Sequence, residues 1–96
     1  MTGLDAALAD YLKLRRSLGH KLDTSGRHLA RFVACLNEAG EDTVTMRTAL
    51  PFILDPGIDP ASSIPAKRLL AVRGFARYLA GINPRTEIPP VGIVSY

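Results

Sequence analysis

The sequence predicts an all-α fold: a compact four-helix bundle followed by an extended C-terminal tail. Three observations predict it. Four stretches carry apolar residues at three-to-four-residue spacing, the period of a helix face. Gly, Pro, Asp and Asn fall between these stretches, where helices stop and chains turn. Strand signals are weak throughout, and Ile93-Val94 is too short to matter.

The first segment runs from Leu4 to about Leu18. Leu4, Leu8, Tyr11, Leu12 and Leu18 form its apolar stripe, and Gly19 stops it. Arg15 falls inside the apolar arc, so it must snorkel, pair or be exposed by fraying. The second segment runs from about Thr24 to Ala39. Asp23, Thr24 and Ser25 are each able to cap it. Leu29, Phe32, Val33 and Leu36 make one narrow stripe, and Gly40 sits where a C-terminal glycine belongs. Thr24, Arg27, His28, Arg31 and Cys35 occupy the opposite face.

The third segment, Met46 to about Leu54, has Thr43 or Thr45 as its cap. Pro51 lies within it, so this helix is short, kinked or begins late. Asp55-Pro56-Gly57 then breaks the chain, and residues 55–63 read as a loop. The fourth segment is capped by Ser62 or Ser63, has Pro65 in its first turn and continues to about Ala80. Leu69, Val72, Phe75, Ala76 and Leu79 form its stripe. Residues 1–81 are thus expected to form the helical domain. Residues 82–96, with three prolines and no helical period, are expected to form the tail, the start of an inter-domain linker.

Composition narrows the function. The chain has 96 residues, 47% of them hydrophobic and 22% charged, which suits one small globule and not a disordered segment. A two-lobed active-site cleft does not fit this length. The lone cysteine, Cys35, cannot form an internal disulfide, and no Cys/His group has zinc spacing. No metal or other cofactor is expected. Neither a membrane-spanning run nor a signal peptide is apparent, so the expected compartment is the cytoplasm.

The net charge of +3 conceals segregation. Lys13, Arg15, Arg16, Lys21, Arg27 and Arg31 follow one another with only Asp23 to oppose them. The fourth segment carries Lys67, Arg68, Arg73 and Arg77 with no acid between Ile64 and Gly81. Stepping about 100° per residue sets Arg27 beside Arg31 and Arg73 beside Arg77, each pair one turn apart. Forked donors on one rigid face suit phosphate oxygens. A solvated surface is the plainer alternative, and charge alone leaves both open. Gly74, inside a helix, admits either a neighbouring helix or a phosphate, and packing is the commoner reason. Cys35 and His20 have no catalytic context.

Lys67-Arg-Leu-Leu-Ala-Val-Arg-Gly-Phe-Ala-Arg-Tyr-Leu79, followed by Asn83-Pro-Arg-Thr-Glu-Ile-Pro-Pro90, resembles the N-terminal core-binding domain of tyrosine recombinases (phage-type integrases). Tyr11-Leu-Lys-Leu-Arg-Arg-Ser-Leu-Gly-His-Lys-Leu22, with Phe32 and Leu36 on the next helix, extends the resemblance to about residues 5–92. The resemblance implies a SAM-like bundle that clamps double-stranded DNA, with recombinase protomers or a catalytic domain as further partners and no membrane. It implies Lys21, Thr24, Arg27, His28, Arg31, Lys67, Arg68, Arg73 and Arg77 as DNA-binding residues. Arg68 lies near the apolar stripe, so its stem is also able to cover the core. The family's catalytic residues lie downstream of this domain. Two coincidences carry no weight: His28-Leu-Ala-Arg31 mimics the family's His-x-x-Arg in the wrong domain, and Tyr96 lacks an arginine cage. The expectation is a truncated or split product that binds DNA without cutting it. The alternative is a small helical protein-interaction module using the apolar edge of the first segment and the tail.

Overall fold

A computed structural model describes residues 3–19, 23–59, 61–90 and 92. Its helices are α1 (Gly3–Ser17), α2 (Asp23–Glu38), α3 (Met46–Ile53) and α4 (Ile64–Ala80). The four-helix all-α bundle read from the periodicity is what the chain forms. The Cα radius of gyration is 12.7 Å, against about 12–13 Å expected for a packed chain of this length.

Local chemistry fixes the helix ends. Gly40 has φ +73°, and its N–H donates to the Asn37 carbonyl while the Glu41 N–H donates to the Leu36 carbonyl. This paired closure requires a left-handed residue after α2, a conformation glycine adopts at least cost. Thr45 caps α3: its hydroxyl accepts from the Thr48 N–H, and the Thr48 hydroxyl accepts from the Thr45 N–H. Pro51 lies inside α3, which continues only two residues past it. At α4, the Ser62 hydroxyl accepts from the Ile64 N–H at 3.1 Å, while the Ser63 side chain makes no capping bond.

The core joins all four elements. Phe32, Val72, Phe75 and Ile53 are fully buried, with Leu29, Val33, Leu36 and Leu69 around them. Helices α2 and α4 pack against each other, α1 covers both, and α3 closes the other side. Asn37 Nδ2 donates to the Asp5 carboxylate at 3.2 Å. At the other end, Gly26 sits beside Leu12 and Arg16. Helices α1 and α2 are therefore antiparallel. Leu18 departs from expectation: it is 65% exposed. It lies in the turn beyond Ser17, where helical stepping no longer sets its direction.

Residues 83–90 carry no helix and are docked on the bundle. The Glu87 N–H donates to the Val44 carbonyl, and the Glu87 carboxylate accepts from the Met46 N–H at 2.7 Å, adding a second cap to α3. Thr86 bonds Thr43, Arg85 pairs with Asp42, and Pro89 is fully buried. Segment 83–90 is thus part of the globule.

Gly74 has the packing role. A Cβ there would overlap the Tyr11 hydroxyl. The Tyr11 ring is held between Phe75 and Tyr78, at centroid distances of 5.7 and 5.5 Å. Alanine in a helix interior ordinarily gains about 1 kcal/mol over glycine. Here we expect Gly74→Ala to lose about 1–2 kcal/mol, as an overpacked core does. In a Tyr11→Phe background the same change should be neutral or stabilising. Urea denaturation of the four proteins in this cycle measures the coupling.

Candidate nucleic-acid interface

The buried stripe of α2 leaves one outcome for its other face. With Leu29, Phe32, Val33 and Leu36 inside, Thr24, Arg27 and Arg31 are exposed, and His28 is half-buried. Thr24, Arg27, His28, Ala30 and Arg31 line a shallow cleft. Lys67, exposed at the start of α4, and Arg68 both lie close enough to act on the His28 ring. Burial, and then the charges of Arg68, Arg27, Arg31 and Lys67, hold the His28 pKa below the ordinary histidine value. The cleft therefore sets an imidazole whose protonation is disfavoured among cations.

A second cationic surface lies between α1 and α4. Arg15, Arg73 and Arg77 line a groove of about 700 Å³ together with Leu14, Leu18 and Leu70. These leucines are 48%, 65% and 62% exposed. Arg77 is exposed in the last turn of α4. Arg73 is partly committed, because its Nη1 donates to the Pro89 carbonyl at 2.5 Å and so helps to hold the tail. Helical stepping marks Arg15 as a misfit on the apolar arc, and the cationic run Lys13–Arg31 does not itself group it with α4. Its Nε is buried without a hydrogen-bond partner, and the groove gives it arginine neighbours that sequence spacing alone does not reveal.

The structure thus brings Thr24, Arg27, His28, Arg31 and Lys67 together, and it sets Arg73 and Arg77 with Arg15. Lys21 and Tyr96 lie outside the described residues. Arg68 stands apart from the outward-facing residues of the expected set, since it is 7% exposed and turned inward. Its Nη1 donates to the Phe52 carbonyl at 2.8 Å and stands 3.7 Å from Asp55, and its guanidinium lies 4.3 Å from the centre of the Phe52 ring. The reason is its angular position beside the stripe of Leu69 and Val72, where a long stem bridges α4 to α3. Cys35 is exposed and lines a shallow pocket with Glu41 and Arg47, which pair with each other at 3.1 Å. Among the described residues no group of His, Cys, Asp and Glu is placed to hold a metal ion, and no helix is long and apolar enough to cross a membrane.

Comparison with known proteins bears on the resemblance. All 96 residues align, at 38% identity, with a protein of Sinorhizobium fredii (strain NBRC 101917 / NGR234) that carries the provisional name integrase/recombinase y4rB. The chain is similar to an integrase/recombinase along its entire length. It spans 30% of the length of that relative. No family model matches the chain, and no solved structure matches it significantly. The integrase/recombinase resemblance read from residues 11–36 and 67–90 is the one that this alignment finds.

Because Arg68 is spent internally, Arg68→Ala should destabilise the fold by about 2–4 kcal/mol, leaving the Phe52 carbonyl unpaired and a void against its ring. Arg68→Met, which keeps the volume, should lose less. Thermal and urea unfolding of the two variants distinguish this from a surface role, in which both would unfold like the parent.

Proposed function

We propose that the chain binds double-stranded DNA as the core-binding domain of a tyrosine recombinase, and that strand cleavage belongs to a separate catalytic domain. The observation that carries this reading is the whole-length similarity to an integrase/recombinase in a chain whose two inner helices turn acid-poor cationic faces outward. On this reading Arg27, Arg31, Thr24 and Lys67 contact phosphates along the outer side of α2. Arg77 and Arg73 extend the contact along α4, and Lys21 is added to the set from the family resemblance alone. Phosphate contacts of this kind position the protein on the duplex and carry little sequence information. The partners are duplex DNA, other recombinase protomers and the catalytic domain, and the compartment is the cytoplasm. Bond-making chemistry is not assigned to these residues, and no nicking of supercoiled plasmid is expected.

A second reading, a protein-interaction module, is favoured by one observation. Leu14, Leu18 and Leu70 stay exposed in a groove walled by arginines, and a hydrated sugar-phosphate backbone covers such leucines poorly.

Duplex titration at low and moderate salt tests the first reading. Affinity should fall steeply with salt, with a log–log slope of about 0.9 per phosphate contacted. Arg27→Glu with Arg31→Glu should weaken binding at least about tenfold and flatten that slope by about one to two. Absence of binding at low salt sinks the DNA reading. Arg73→Glu with Arg77→Glu then apportions the second surface. A comparable loss joins the groove to the DNA interface, and unchanged affinity leaves it to a protein partner.

A further inference from the structure

The α2 cleft combines two fixed charges and one that is able to change. Arg27 and Arg31 stand one turn apart and exposed, with half-buried His28 beside them and the Thr24 hydroxyl one turn earlier. From α4, Lys67 and Arg68 add two more positive charges that act on the ring, and Arg68 is itself faced by Asp55 at 3.7 Å. Among the described residues, the side-chain charges that act on His28 are positive.

We propose that this cleft seats one phosphodiester oxyanion of a duplex and that seating it places a proton on His28. The inference rests on the DNA reading and adds to it a proton taken up from solvent. In the free chain protonation of the ring is disfavoured, because a further positive charge is repelled by four neighbours and penalised by burial. An anion in the cleft reverses the local field. A phosphodiester keeps its single negative charge throughout the range in which histidine titrates, so the proton goes to the ring. The resulting imidazolium N–H then donates to the phosphate oxygen, a charge-assisted bond that the neutral ring supplies less well.

Linkage fixes the sign. The pKa of the bound state lies above that of the free state, so binding takes up a proton between the two values. Affinity there rises as pH falls, by at most about tenfold per pH unit for one proton. It is flat above both values. Affinity for DNA would then respond to local pH with no change of fold.

The test follows the His28 ring by NMR against pH in the whole chain, free, with a short duplex and with inorganic sulfate. Duplex affinity is measured in parallel at constant ionic strength. We expect the His28 pKa to start below the ordinary histidine value and to rise on duplex binding, with affinity increasing several-fold from pH 8 to pH 6. His28→Gln and His28→Arg should each flatten the pH profile, whereas His20→Gln should not. A His28 pKa that stays put in the complex, or a profile that survives His28→Gln, overturns the inference and leaves the DNA reading standing. Failure to bind duplex at low salt and any pH overturns the DNA reading. In that case a sulfate-induced rise of the His28 pKa retains the cleft as an oxyanion site, and no rise removes it.

Discussion

The packing of α2 against α4 is the constraint on which the rest of the structure depends. Phe32 and Phe75 are both fully buried, and Leu29, Val33, Leu36, Leu69 and Val72 close around them. Each such side chain contributes about 1.5–3 kcal/mol by leaving water. A helix has only one way to turn a narrow stripe inward, so Arg27 and Arg31 must face out. The cationic surface therefore follows from the core. A substitution that rotated α2 about its axis would cost both at once.

Four guanidiniums illustrate how position divides labour among like residues. Arg68 lies beside the apolar stripe, so its charge is used internally on Phe52 and Asp55. Arg73 sits further round α4 and splits its donors between the Pro89 carbonyl and the groove. Arg77 and Arg31 lie fully outside. Arginine suits the buried position because its planar fork bonds a carbonyl while its face stacks on an aromatic ring, which the ammonium of lysine does not reproduce.

Much of this was legible in the sequence. The helices followed from apolar spacing, and their ends from Gly40, Pro65 and a cap narrowed to Thr43 or Thr45, because these signals act over one turn. The outward set on α2 followed for the same reason, and helical stepping also marked Arg68 as close to the stripe. What stayed hidden depends on contacts distant along the chain. Glu87 caps α3 from more than forty residues away, and Pro89 is buried against the bundle by long-range packing. The segment around them carries no helical period, so only its prolines were readable, and prolines alone do not tell a docked strap from a linker. The grouping of Arg15 with Arg73 and Arg77 was hidden in the same way, since it depends on how α1 crosses α4.

The docked strap also explains why a chain of modest net charge presents cationic faces. Acids are concentrated where the tail meets the α2–α3 loop: Asp42 pairs with Arg85, Glu41 with Arg47, and Glu87 caps α3. The pairs of Asp42 and Glu41 are solvent-exposed and contribute little stability each. Their effect is on the distribution of charge, because they draw carboxylates to the end of the fold carrying the strap. Asp55 is occupied at Arg68. Among the described residues no ion pair involves Arg27, Arg31, Lys67 or Arg77. Local potential, not net charge, decides what a surface attracts. On the proposed DNA reading, the cations of α2 and α4 are the ones left to attract a polyanion, because Arg85 of the strap and Arg47 of α3 are paired with acids.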